Sequence, residues 1–183
     1  MNMYKKNMNK NVILVDENNN EIGIMEKLEA HVQGKLHRAF SIFIFNKKGE
    51  LLLQQRDSKK YHSGNLWTNT VCSHPEPNKD LYECVNNRMQ EEMGFKTPVK
   101  EVFTFLYKSG YENGLTEHEF DHVFIGFYEN NPNPNPNEVM NFKWISIKEI
   151  VQDMKKNSEI YTSWFKILMQ NSEFLEIIEK NIV

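Results

Sequence analysis

Short apolar runs alternate with polar breaks along the chain, and their spacing sets out its elements. Val12-Ile13-Leu14-Val15 is β-like, Asp16-Glu17-Asn18-Asn19-Asn20 turns the chain, and Glu21 to Ile24 is the hairpin partner. Residues 25–37 are polar and mixed, with a weak short helix around Lys27 to Val32. Ala39 to Asn46 is strongly β-like; Lys47-Lys48-Gly49-Glu50 is a turn, and Leu51 to Arg56 is the returning strand. A loop over 57–66, containing Ser63-Gly64-Asn65, precedes a fourth β-like run from Trp67 to Cys72. Asp80 to Met93 reads as a helix, with Asn78 or Asp80 as its cap and Gly94 where a helix stops. Val99 to Lys108 and Glu117 to Tyr128 are long strands separated by Gly110 and Gly114. The alternating asparagines and prolines of 130–137 make an extended loop that cannot enter a sheet interior. Val139 to Ile145 is another strand, a helix starts near Ile147, and Tyr161 to Lys180, within a C-terminal helical stretch 159–183, is a further helix. The order, β-rich, one helix, more β and then helices, favours a mixed α/β sandwich over a parallel βαβ array.

Composition narrows this picture. A chain of 183 residues suits one domain spanning 1–183, and 39% hydrophobic with 12% aromatic is enough to fill its core. A formal charge of -3 gives no global attraction to nucleic acid or to an anionic membrane. The longest apolar runs are far too short to span a bilayer. Met1 to Lys10 is polar, carries no signal-peptide core, and is expected to be flexible. Cys72 and Cys84 cannot make a disulfide framework; both are expected to be thiols, as in cytoplasmic proteins. No heptad or interface patch is visible, so a monomer or weak dimer is expected. The 23 asparagines are a compositional bias.

Some charges fall where burial is expected. On a helical wheel of residues 80–93, Leu81, Cys84, Val85 and Met89 form one apolar stripe, and Arg88 and Glu92 lie inside it. They are also an i, i+4 pair. Either they bridge at the stripe's edge, with the stems reaching solvent, or this face lines a polar site. Cys84 belongs to packing.

In the strand after Gly114, Glu117, Glu119 and Asp121 point one way while His118, Phe120 and His122 point the other. Neighbouring carboxylates on one face repel, and a divalent cation or a raised pKa relieves that; the bland alternative is an acidic edge facing solvent. With His31, His37 and His74 near strand ends, the set suggests a mixed His/carboxylate metal site, though the spacing alone is weak. In Trp67-Thr68-Asn69-Thr70-Val71-Cys72-Ser73-His74-Pro75 a thiol sits beside an imidazole. Cys72 can be inert, a zinc ligand or a reactive thiol. Arg56, Lys59 and Lys60 surround the preceding loop, and Lys27 and Arg88 can approach from elsewhere. If these converge near the carboxylates, they fit a phosphorylated ligand with a bridging metal.

Taken together, Leu66 to Pro75, Leu36-His37-Arg38-Ala39-Phe40-Ser41, Glu91-Glu92-Met93-Gly94, Glu117-His118-Glu119 and Asn137-Glu138-Val139-Met140 resemble the type 1 isopentenyl-diphosphate isomerases, a branch of the Nudix superfamily. The resemblance runs from about Val12 to about Trp164. It implies the Nudix fold, a mixed β-sheet flanked by helices. It also implies reversible conversion of isopentenyl diphosphate to dimethylallyl diphosphate by a 1,3-allylic proton shift, in isoprenoid biosynthesis. By resemblance, Cys72 and Glu119 act at the two ends of the allyl unit. His31, His37, His74, Glu117 and Glu119 match the ligands of one tightly bound divalent metal (Zn²⁺, Mn²⁺ or Mg²⁺). Glu92 matches the carboxylate that holds Mg²⁺ with the diphosphate. Lys27, Arg56, Lys60 and Arg88 match diphosphate-binding positions, and Tyr107 and Trp164 match the lining of the hydrocarbon pocket. The implied partner is a small-molecule allylic or homoallylic diphosphate.

One departure separates the chain from hydrolytic relatives. A complete Nudix box carries a Gly, a Glu and then Arg-Glu-x-x-Glu-Glu-x-Gly. Here Ser73 and Lys79 replace the first two and Asn87-Arg88 replaces the Arg-Glu pair, so only Glu91, Glu92 and Gly94 survive. The alternatives are a metal-dependent Nudix hydrolase of a phosphoanhydride, and a zinc-binding interaction domain with Cys72 and His74 as structural ligands. His118 and His122 receive no role.

Overall fold

The computed structural model describes residues 11–60 and 62–182. The first ten residues, expected to be flexible, lie outside the described residues. Strands β1 (Asn11–Val15) and β2 (Glu21–Glu26) form the expected hairpin. Helix α1 (Lys27–Gln33) follows at once and stops at Gly34. Strands β3 (His37–Phe45), β4 (Glu50–Arg56), β5 (Trp67–Thr68) and β6 (Val71–Ser73) lead to helix α2 (Leu81–Met93). After it come β7 (Val99–Gly110), β8 (Thr116–Phe127), β9 (Val139–Ser146) and helices α3 (Ile147–Met154), α4 (Ser163–Gln170) and α5 (Ser172–Ile182). All nine strands are hydrogen-bonded into one network, with β3 and β8 parallel and the other pairs antiparallel. This is the mixed sheet with flanking helices that the sequence implied.

The central strands read as unbroken apolar runs because both of their faces are covered. On β3, Phe43 and Phe45 enter one core with Phe165, Phe174 and Ile178 of the C-terminal helices. Phe40, Ile42 and Ile44 enter a second core with Val85, Met89 and Met93 of α2. Leu52 likewise faces α2, while Leu51 and Leu53 face the C-terminal side. No helix among the described residues is long and apolar enough to cross a membrane.

Two expectations need correction. Trp67 to Cys72 is not one strand: β5 pairs with β4, β6 pairs with β3, and Asn69-Thr70 lies between them. β3 and β4 pair only at Phe45 and Leu51, and polar side chains fill the space where they diverge. Thr70 Oγ1 accepts from the Ile44 N–H at 3.0 Å and donates to Leu52 O at 2.7 Å. Asn69 Nδ2 donates to Val71 O at 2.7 Å and to Ile42 O at 3.2 Å. Periodicity cannot show that two polar side chains stand in for missing ladder bonds.

The C-terminal stretch 159–183, read as a helix, holds a 3₁₀ turn at Ser158–Ile160 and then two helices. Asn171 divides them. Its backbone is extended, and its Oδ1 accepts from the Phe174 N–H at 2.9 Å, so it caps α5 in place of continuing α4.

Candidate active site

The crossing from β5 to β6 fixes Cys72. It sits beside Ser41 in the β3–β6 ladder, half-buried, with Arg56 Nη1 at 3.6 Å from its Sγ. Burial pushes the thiol up to about 12; Arg56 opposes this, while Glu92, Glu117 and Glu119 reinforce it. Cys72 therefore carries its proton at neutral pH.

Parallel pairing of β3 with β8 sets His37 opposite Glu119, and antiparallel pairing of β7 sets Tyr107 against the same residue. His31 arrives from α1 and His74 from the residues after β6. Glu119 Oε1 lies 2.9 Å from His74 Nε2 and 3.5 Å from His37 Nε2, and its Oε2 accepts from the Tyr107 hydroxyl at 2.6 Å. Glu117 Oε2 accepts from the hydroxyls of Tyr111 at 2.6 Å and Tyr107 at 3.2 Å. Glu117, Glu119 and Asp121 are all buried, which overturns the solvent-edge alternative.

Burial, and then the charge of Glu119, push Glu117 up to about 8. Burial would also raise Glu119, but His74 beside it holds it well below the usual carboxylate range. Burial, and then Lys27, push His74 far down, so at neutral pH the charge of the His74–Glu119 pair sits on the carboxylate. Burial, and then His37, lower His31 to about 4.

Ligand atoms of His31, His37, His74 and Glu119 lie within 4.8 Å of one another, as do those of His31, His62 and Glu117. His31 Nδ1 donates to Lys27 O at 2.7 Å and His37 Nδ1 to Lys35 O at 2.8 Å. A carbonyl only accepts, so each Nδ1 carries the hydrogen and each Nε2 keeps its lone pair. His37 Nε2 is fully buried without a hydrogen-bond partner. An orphaned lone pair beside neutral imidazoles and an ionised carboxylate fits a divalent cation.

The same cleft also gathers cations. Lys27, Arg56, Lys60 and Arg88 line the same cleft as Cys72, His74, Glu92, Tyr107, Glu117, Glu119 and Trp164. His31 and His37 are fully buried and do not line it. Burial, and then the charges of Arg88 and Arg56, push Lys27 down to about 8, the response of a cation crowded by cations. Arg88 Nη2 meets Glu92 at 2.6 Å and Glu138 at 2.8 Å, and Gln54 Nε2 donates to Glu92 at 2.7 Å. Arg88 and Glu92 pair, and their face lines the cleft; with Glu92 buried, the reading of charges at the stripe's edge reaching solvent falls away. Arg56 stacks 5.2 Å from the Trp164 ring centre.

The NUDIX domain family matches residues 35–165. A curated relative from Pectobacterium atrosepticum, an isopentenyl-diphosphate Delta-isomerase, is 47% identical over 85% of this chain and 87% of its own length. An isopentenyl-diphosphate Delta-isomerase 2 from Photorhabdus laumondii is 42% identical over 94% of this chain and 97% of its own. The chain belongs to the isopentenyl-diphosphate Delta-isomerases of the NUDIX family. At the level of fold, the crystal structure of DR0079 from Deinococcus radiodurans has a TM-score of 0.74 at 16% identity, covering 88% of this chain and 98% of that one. The MutT protein from Methanosarcina mazei Go1 has a TM-score of 0.61 at 18% identity, covering 79% and 94%.

For this isomerase-family chain, sequence reasoning missed three contributors. His62 arrives from the loop after β4, where an isolated polar residue has no periodicity to betray it. Its Nε2 lies 3.2 Å from Glu117 Oε1, and its ring stacks on Tyr111 at 4.9 Å. Burial, and then Arg56 and Lys27, push it down to about 2. Tyr111 lies just past β7 and reaches Glu117 as well. Glu138, quoted as part of a motif without a role, ion-pairs with Lys60 and Arg88. Burial would raise its pKa, but those two cations outweigh it. The unassigned histidines are structural: His118 bonds Gly34 O, and His122 joins Glu101 and Asn19.

Proposed function

We propose that this protein interconverts isopentenyl diphosphate and dimethylallyl diphosphate by a 1,3-allylic proton shift, with Cys72 and Glu119 as the proton-transfer groups. The observation that carries this reading is their presence in one cleft that also gathers four cationic side chains. An alkene is a poor base, and protonating it creates a tertiary carbocation-like centre. One positioned group must give a proton at one end of the allyl unit while another takes a proton at the other. A protonated thiol and an ionised carboxylate suit that exchange, and in the reverse direction they trade roles. Tyr107 holds Glu119 by its hydroxyl and itself stays protonated, because burial and then Glu117 and Glu119 raise it.

Lys27, Arg56, Lys60 and Arg88 are suited to grip the diphosphate, which fixes the short hydrocarbon against Tyr107 and Trp164. An aromatic face stabilises developing positive charge by about 2 kcal/mol when desolvated, and a dry pocket keeps water from capturing the cation. His31, His37, His74, Glu117 and Glu119 would hold the resident divalent metal, and Glu92 would share Mg²⁺ with the diphosphate. A bound cation supplies fixed positive charge that lowers the proton affinity of neighbouring carboxylates. The hydrolase alternative loses support: of the two surviving box glutamates, Glu92 faces the cleft, while Glu91 is half exposed and pairs with Arg88.

Proton NMR of the protein with isopentenyl diphosphate and Mg²⁺ in D₂O tests the reading. The expected result is a dimethylallyl product that has gained deuterium. Folded, metal-loaded protein that leaves the substrate unchanged would overturn it, and phosphate release would favour the hydrolase.

A further inference from the structure

The loop of asparagines and prolines crosses the C-terminal end of α2, where helix carbonyls lack intrahelical partners. The Asn133 N–H donates to Met93 O at 3.1 Å and the Asn135 N–H to Glu92 O at 2.9 Å. The approach is so close that a Cβ on Gly94 would stand 2.3 Å from Asn133 O, and Gly94 has φ +78°. The strap ends at Glu138, whose N–H bonds Asn135 O at 2.9 Å and whose carbonyl accepts from the Asp57 N–H at 3.0 Å. Backbone bonds on both sides thus fix where its side chain enters.

That side chain is nearly buried, and its Oε2 meets both Lys60 Nζ and Arg88 Nη2. Among the described residues Glu138 belongs to no group able to gather a metal, and its Oε2 is already committed to two cations. It is not among the proton-transfer groups. What it does is place beside Lys60 and Arg88 the kind of charge that a phosphate would bring.

We propose that Glu138 is a charge filter: a built-in carboxylate that a diphosphate can outcompete for Lys60 and Arg88 and a single phosphate cannot. This rests on the diphosphate reading of the cleft's cations. A single phosphate, carrying about -1.5 to -2 charges near pH 7, gains little by sharing cations already satisfied by a carboxylate at low exposure. A diphosphate also has a second group of oxygens for Lys27 and Arg56, and so tolerates the competition. Glu138 is therefore a specificity residue, acting through the cations, and the low-complexity strap is what delivers it.

Calorimetric titration of the full chain with inorganic pyrophosphate and, separately, inorganic phosphate, both with Mg²⁺, tests this. Wild type should prefer pyrophosphate by about 100-fold or more. In Glu138→Gln, phosphate should bind about tenfold tighter, equivalent to ~1.4 kcal/mol, with pyrophosphate changed much less. Should that variant not fold, Glu138→Asp carries the test: the shorter carboxylate cannot span both cations, and the preference should fall about threefold. An unchanged ratio in a folded variant overturns the filter and leaves the diphosphate reading standing. Wild type that binds neither anion overturns both.

Discussion

Two sets of side chains form the two chemical ends of the site: His31, His37, His74, Glu117 and Glu119 offer lone pairs, and Lys27, Arg56, Lys60 and Arg88 offer N–H groups. The two ends are prepared for opposite ligands in different ways. At the lone-pair end, tyrosine hydroxyls and backbone carbonyls orient each ligand, and His37 Nε2 stays without a hydrogen bond. That end is incomplete until a cation arrives. At the cationic end, Glu92 and Glu138 already meet Arg88, and Glu138 also meets Lys60. That end is partly neutralised from within, so its ligand must compete for Lys60 and Arg88. A buried orphaned lone pair favours permanent occupancy, whereas a pre-paired cation favours exchange. This is the division expected between a resident metal and a substrate that must leave each cycle.

The sharpest break in this scheme lies between the ends, at Cys72. Cys72→Ala should lower turnover by about 10³-fold or more while the melting temperature and metal content hold. Steady-state rates, with elemental analysis of the same sample, check this; near-normal isomerisation would remove the thiol from the chemistry. At the lone-pair end, His37→Gln should weaken metal binding by about 100-fold, read by competition with a chromophoric chelator. The variant should still bind pyrophosphate, because His37 is not among the side chains lining the cleft that the four cations share. Loss of both ligands together would mean that the two ends are not separately built.

How far sequence reached differs between regular elements and loops for a physical reason. The residues that were legible by pattern lie on strands and helices of both ends. Alternation along β8 put Glu117, Glu119 and Asp121 on one face, and helical period put Arg88 and Glu92 on the stripe of α2. The strands with apolar runs, the capped helix and the mixed sheet were legible by the same logic. The cysteine motif was legible as a motif, but its shape was not, because Asn69 and Thr70 replace ladder bonds with side-chain bonds. His62 and Glu138 come from loops, where only tertiary register decides what a side chain meets. Asn171 was readable in principle, as a strong cap residue inside an otherwise helical stretch.

At the cationic end, Glu92→Gln should raise the Mg²⁺ concentration needed for half-maximal rate by about tenfold, since one carboxylate ligand is lost. Gln keeps the length but has one accepting oxygen where Glu92 uses two, so it can accept from Arg88 or from Gln54 and not from both; the melting temperature should fall modestly, and the titration is read on folded protein. An unchanged Mg²⁺ titration would move that ion away from α2.

The smallest effect tests whether the lone-pair end extends to His62. Its Nε2 lies against Glu117 Oε1, while two tyrosine hydroxyls hold Oε2. If His62 braces the carboxylate, His62→Gln should weaken metal binding by about tenfold at most, less than His37→Gln, because the tyrosines remain. A cobalt-substituted sample separates bracing from direct ligation. Bracing leaves the visible spectrum close to that of wild type, since the atoms touching the metal are unchanged. Loss of an imidazole ligand shifts it. A changed spectrum with a hundredfold loss of affinity would make His62 a ligand in its own right and redraw the boundary of that end toward Tyr111 and Trp164.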